Sequence, residues 1–164
     1  MDILNYICSI IQKFMNLDNG QIYIYNQKYI LPPTTNFLIS VGLQGVNLLA
    51  NNSETKEING AVKEILTTQT QTQISIDIYS YDFSAITRKE EILMALRSNL
   101  SQNVQAQYGF YIASIPTNFN QQNELDGTKI LNRFNLLINV ISKQQKVIDS
   151  DYYDTGYIII NKDN

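Results

Sequence analysis

The chain has no histidine and no tryptophan, one cysteine, three prolines and seven glycines. Each shortage closes off a kind of chemistry. Without histidine there is no imidazole to act as a general base near neutral pH and no His-ligated metal site. A lone Cys8 excludes an intrachain disulfide and a cysteine zinc cluster, and is compatible with a reducing compartment. Glycine never gathers into a phosphate-cradling loop, because Gly42 and Gly45 lie inside a strand-like pattern rather than ahead of a helix. Charge is scarce as well, at 16% of residues, so polarity must come from Asn and Gln, roughly one residue in five. Twelve basic and fifteen acidic residues leave a net charge of −3. That balance disfavours both a sequence-specific nucleic-acid binder and a polybasic membrane-surface protein. Apolar runs such as Ile158–Ile160 fall far short of the roughly twenty residues of a membrane span. Asp2 precedes the N-terminal apolar stretch and Lys13 follows it, which argues against a secretory signal.

What is present suffices for one core. The chain has 164 residues, 44% of them apolar, and reads as a single domain over 1–164. Ile3, Ile7, Ile10, Ile11 and Phe14 recur at helical spacing, widened by Leu4, Cys8 and Met15, and Leu17-Asp18-Asn19-Gly20 reads as the stop. Gln21–Tyr25 alternates as a short strand that Asn26 and Gln27 can turn into Lys28–Leu31, ended by Pro32-Pro33. Phe37, Ile39, Val41 and Leu43 share one face of a second extended stretch, where Gly42 and Gly45 suggest a bend or bulge. Asn51 to Gly60 reads as an exposed loop or arm. Ile74, Ile76 and Ile78 alternate with Ser75, Asp77 and Tyr79 as a half-buried strand, whereas Thr67–Gln73 is polar on both faces. A helix follows over Ser84–Asn99, its apolar stripe running through Ile86, Ile92, Leu93, Leu96 and Leu100. Ser84 or Thr87 can cap it, Thr87 with Glu90 at capping-box spacing. A strand Phe110–Pro116, a polar loop Phe119–Gly127 and a strand Arg133–Ser142 come next. The tail Asp149–Asn164 reads either as a further strand or as an end that docks on a neighbour. This order predicts an α+β fold with a mostly antiparallel sheet and helices on one face.

Carboxylates are the one remaining catalytic chemistry. Asp77 and Asp82 sit at a strand end, where metal-binding carboxylates are common. The plainer reading makes Asp77 solvent-facing and Asp82 a turn residue. Cys8 reads as a small core hydrophobe, and Arg88, Lys89, Glu90 and Glu91 as a solvated helix face. The eleven tyrosines suit interfaces and strands equally.

The run Ile74 to Leu96, a strand ending Asp77-Ile78-Tyr79-Ser80 followed by a helix carrying Arg88, Glu90 and Leu93-Met94-Ala95-Leu96, resembles the neck and tail-terminator proteins of tailed bacteriophages. Tyr108–Thr117, the opening Phe14–Gln27, and Arg133–Val140 followed by Asp151-Tyr152-Tyr153-Asp154 are similar too. The resemblance implies a structural head–tail joining protein of the virion, assembled in the host bacterial cytoplasm. It further implies a ring, commonly a hexamer, that contacts itself and other neck, connector or tail-tube proteins, with no enzymatic activity, cofactor, metal or membrane partner. It also implies a projecting β arm, which falls here on about Leu48 to Gln73. Thr68, Thr70, Thr72, Asn51 and Asn52 are the candidate interface residues of that arm. Two other classes of function stand beside this one. One is a non-enzymatic protein-binding adaptor using a tyrosine-rich sheet, and the other a carboxylate-dependent hydrolase or nuclease built on Asp77 and Asp82.

Overall fold

The computed structural model describes residues 3–25, 37–126 and 129–149. In chain order these form α1 (Ile3–Met15), β1 (Ile22–Ile24), β2 (Phe37–Ile58), β3 (Ala61–Ser80), α2 (Ser84–Arg97), α3 (Asn99–Tyr108), β4 (Phe110–Ser114), β5 (Asn120–Asp126) and β6 (Lys129–Asp149). The strands make one sheet in the order β1-β2-β3-β6-β4, with β5 also paired to β6. Every pairing is antiparallel except β1 with β2. The fold is therefore α+β, with helices flanking the sheet. Lys28–Leu31 and the tail after Asp149 lie outside the described residues. No helix among the described residues is long and apolar enough to cross a membrane.

One face of the sheet carries the core. Phe37, Ile39 and Val41 of β2 line up with Ser80, Ile78 and Ile76 of β3. Ile78, Ile76 and Ile74 in turn face Phe134, Leu136 and Ile138 of β6. All the apolar members of these rows are buried, in one cluster with Ile7, Ile10 and Ile11 of α1, Ile92 and Leu96 of α2, and Phe110 and Ile112 of β4. The period-two alternation of the strands and the three-to-four spacing of the helices thus meet in one layer boundary. Leu93 packs half-buried against it, Leu100 is half-buried on α3, and Phe14, expected in the buried stripe of α1, is 41% exposed. The stripe runs instead through Leu4, Ile7, Ile11 and Met15.

The ends of the helices are set by side chains other than the expected ones. α1 stops one residue before the predicted run, at Asn16, which takes a φ of 50°. The Leu17 N–H then reaches back to the Gln12 carbonyl at 3.0 Å, and the Leu17 side chain is buried, as a left-handed helix end requires. Gly20, at φ 93°, serves the next turn. At the start of α2 the Asp82 carboxylate accepts from the Ser84 N–H at 2.8 Å and the Ser80 hydroxyl oxygen from the Ala85 N–H at 2.9 Å. Thr87 lies one turn inside, its hydroxyl donating to the Phe83 carbonyl at 3.2 Å, so it does not cap the helix. The helix expected over Ser84–Asn99 is α2, and a further, unexpected helix follows it. Ser98 takes an extended conformation, ends α2, and accepts the Ser101 N–H on its hydroxyl to open α3. Gly109, left-handed at φ 68°, ends α3.

Two segments, one read as an exposed loop or arm and the other as a polar loop, are strands. Asn51–Ile58 continues β2 to a turn at Asn59 (φ 54°) and Gly60 (φ 78°), and Asn120–Asp126 pairs with β6 as β5. Neither shows apolar alternation, since neither covers a core; the ladder of backbone hydrogen bonds holds them extended, helped in β2 by side-chain pairs such as Thr68 with Asn51 and Ser53 with Glu64. The expected bulge is real, with the register of β2 slipping between Leu43 and Gly45 and again between Leu48 and Ala50. Gly42 lets Tyr25 pack closely, since a Cβ there would lie 3.1 Å from the Cβ of Tyr25, tighter than ordinary contact.

Leu96→Ala and Ile76→Ala each remove a buried side chain from the centre of this layer. Urea unfolding should show a loss of about 2–5 kcal/mol for either, and a smaller loss for Phe14→Ala.

Candidate functional site: the open sheet face and the arm

The face of the sheet away from the core carries a polar cluster. Ser40, Asp77 and Asn135 stand in one row across β2, β3 and β6, beside Ser75, Tyr79 and Arg133. Asp77 is only 8% exposed, so the solvent-facing reading of this residue is corrected. Its carboxylate accepts from the Arg133 Nε at 3.2 Å, from the Asn135 amide at 3.0 Å and from the Ser75 hydroxyl at 2.9 Å. A carboxylate removed from water is tolerable when its lone pairs are filled in this way. The Arg133 guanidinium also lies 5.4 Å from the centre of the Tyr79 ring. Burial, reinforced by the Asp77 charge and partly offset by the Ser40 hydroxyl, pushes the Tyr79 phenol above its ordinary value. The cluster neutralises itself. Around it, Tyr25, Tyr111 and Leu137 are exposed.

Asp82 has a different task. Its hydrogen bonds from the Ser84 hydroxyl and backbone hold its carboxyl below the ordinary range and fix the start of α2. Asp77 and Asp82 thus each have a structural partner set. No group of three or more His, Cys, Asp or Glu able to hold a metal gathers among the described residues. Cys8 is half-buried on α1. Arg88 pairs with Glu91 at 3.0 Å and also donates to the Met15 carbonyl at 3.0 Å, tying α2 to the end of α1. That cluster is more than a solvated face.

Beyond the helices, β2, β3 and β6 run on together as a three-stranded ribbon. β3 is its middle strand, paired with β2 from Ala61 to Ser80 and with β6 from Lys63 to Ser80. The sequence placed the arm at about Leu48–Gln73 as two polar stretches in search of a partner. In the structure β3 has both neighbours within its own chain, and the third strand, β6 beyond Ser142, was not anticipated. Of the candidate interface residues, Asn51, Thr68, Thr70 and Thr72 fall on the face that carries the core further down. Asn52 falls on the opposite face, opposite Thr67. Thr68 donates to the Asn51 side chain at 3.0 Å, Thr70 and Ser142 are 3.1 Å apart, and Thr72 is buried. These residues knit the strands together, and only their outer surfaces are available to a partner.

Apolar side chains mark the arm more strongly than the threonines do. Leu43, Val46, Leu48 and Leu49 of β2 and Val147 of β6 are all exposed, Leu48 at 64%. Where the arm leaves the domain, Leu43 and Val46 join Ile3, Leu4, Thr70, Thr72, Ser142 and Gln144 around an open notch of about 310 Å³. The signal for these residues was legible as an apolar run, Val46 and Leu48–Ala50, interrupting an otherwise polar stretch. No family model and no curated protein matches the chain.

Two measurements test the roles assigned to the carboxylates. Asp77→Ala strands three donors in a half-buried cluster and should cost about 1–3 kcal/mol in urea unfolding. Asp82→Ala removes the helix cap and should cost about 0.5–2 kcal/mol at neutral pH. Because the folded-state pKa of Asp82 is lowered, its contribution is present above the unfolded value of 3.8 and is lost as pH falls through the folded value. The gap between wild type and Asp82→Ala should therefore close in acid.

Proposed function

We propose that the chain is a structural subunit of a ring at the neck or tail terminus of a tailed bacteriophage, joining head and tail and catalysing nothing. The observation that supports it is the three-stranded arm. A ribbon that extends past its own core and exposes Leu43, Val46, Leu48 and Leu49 is poorly suited to a solitary subunit and well suited to one that completes its packing in an assembly. The self-neutralised polar cluster around Asp77 and the capping role of Asp82 weigh against a carboxylate-dependent hydrolase. An adaptor that binds through the open face, with Tyr25, Tyr111 and Leu137 exposed, is the second reading.

Mass in solution and in particles separates the two. A ring subunit should give ring-sized species by light scattering or in particles seen by electron microscopy, whereas an adaptor stays monomeric or dimeric. Replacing Asn52–Thr67 by an Asn-Gly turn joins the paired Asn51 and Thr68 and removes no fully buried side chain. The shortened protein should unfold at nearly the wild-type temperature and fail to enter particles. Normal yields of infectious particles from it would remove the arm from the assembly role.

A further inference from the structure

The arm has two free edges. Among the described residues, β1 covers β2 only at Ile39–Val41, and β4 covers β6 no further than Ser142. Past those points β2 and β6 pair only inward, with β3. Both run antiparallel to β3, so they are parallel to each other. The β2 edge of one copy can therefore meet the β6 edge of an identically oriented copy as a parallel pair, and the contact can repeat from copy to copy.

The two edges carry net charge of opposite sign: Glu54 and Glu57 flank Lys56 on β2, whereas Lys143 and Lys146 on β6 precede Asp149, which is paired with Lys63 of its own chain. Glu54 and Glu57 lie near the tip of β2, and Lys143 and Lys146 on the free part of β6, each pair three residues apart. Glu54 shares the face of Ile65 and Val147, which is also the face of Lys143, opposite Gln69. Glu57, opposite Val62, shares the other face with Lys146, opposite Leu66. Glu57, Lys143 and Lys146 make no ion pair among the described residues, and Glu54 pairs only with the exposed Lys56. A two-fold pairing of β6 edges would instead set lysines against lysines, which is destabilising.

We infer that the subunits of the proposed ring join edge to edge, Glu54–Ile58 of β2 against Lys143–Val147 of β6 from a second copy of this chain. This register places Glu54 beside Lys143, Glu57 beside Lys146, and Ile58 beside the exposed Val147, each pair on a common face. It is also the register of a closed sheet. Within one chain Ala50 is level with Lys143 across Gln69, so the neighbouring copy is displaced by the distance from Ala50 to Glu54. That is about 13 Å along the strands for about 14 Å of width across three strands, a tilt of about 42°. Closed barrels tilt by about 35–45°, so the same step repeated around an axis closes whatever the number of copies.

This inference rests on the ring reading, and the test separates the two. Thr55 and Gln144 are neighbours across the proposed contact. Within one chain they lie on strands separated by β3 and four residues out of level, since Thr55 is level with Ile148 across Glu64; that is roughly 16 Å, beyond the limit of about 7 Å for a disulfide. Under mild oxidation the Thr55→Cys/Gln144→Cys protein should form a ladder of covalent oligomers that ends at the ring number. Each single variant and the wild type, which retains Cys8, should not. Dimers from Thr55→Cys alone would show a two-fold edge contact and overturn the proposal. Rings visible by electron microscopy without the ladder would overturn the edge pairing while leaving the ring intact. No assembly in solution or in particles would remove both. As an independent arm, the double variant E54K/E57K should weaken assembly at least about tenfold, and adding K143E/K146E should restore it. Failure of that rescue in protein that folds normally counts against the charge register.

Discussion

β3 is hydrogen-bonded along its length on both sides, to β2 and to β6, and the rest of the molecule is arranged around that pair of ladders. At its base the strand inserts Ile74, Ile76 and Ile78 into the core, where helices and sheet bury one another. Toward its tip the same ladders continue with no helical layer over them. A two-stranded ribbon alone would be marginal in water. This one is held by a third strand and by continuity with a packed base, helped by cross-strand pairs such as Thr68 with Asn51 and Lys63 with Asp149 at 2.6 Å. The arm is therefore an extension of the core sheet, with the stability of its base and the exposure of its tip.

The two faces of the basal sheet solve the burial problem differently. One is apolar and covered. The other is polar and closed over itself, Asp77 drawing in Ser75, Arg133 and Asn135. A buried carboxylate with three donors costs little to keep and much to disrupt, which fits an architectural role. What the domain leaves incomplete is the free strand edges and the exposed leucines and valines of the arm.

Much of the base was legible from periodicity. The isoleucines of β3, the alternation of Phe134, Leu136 and Ile138, and the helical spacing of α1 are local patterns that burial on one face imposes. The misreadings share a physical cause. α3 and β5 are mostly polar, with only scattered apolar residues such as Leu100, Val104 and Leu125, so no sustained alternation or stripe announces them; a Ser98 break, a Gly109 cap and the neighbouring β6 backbone define them. Asp77 looked like the outward residue of a half-exposed strand. Its partners Arg133 and Asn135 lie far along the chain, and only the pairing of β3 with β6 brings them to it.

The arm draws the same line. The sequence by itself determined that the stretch from about Leu48 to Gln73 was poorly suited to an internal core, because polar residues occupy both faces of Thr67–Gln73. The turn itself falls at Asn59-Gly60, where the backbone takes positive φ, inside the stretch read as an exposed loop or arm. Tertiary structure decided that β6 would lie alongside as a third strand, that Asn51, Thr68, Thr70 and Thr72 would share a face without Asn52, and that acidic and basic residues would stand on opposite free edges. Strand pairing is a long-range choice made by backbone groups that are the same in every residue. Side-chain pattern along the chain records which face is buried, whereas which strand lies beside which is settled only when the sheet assembles.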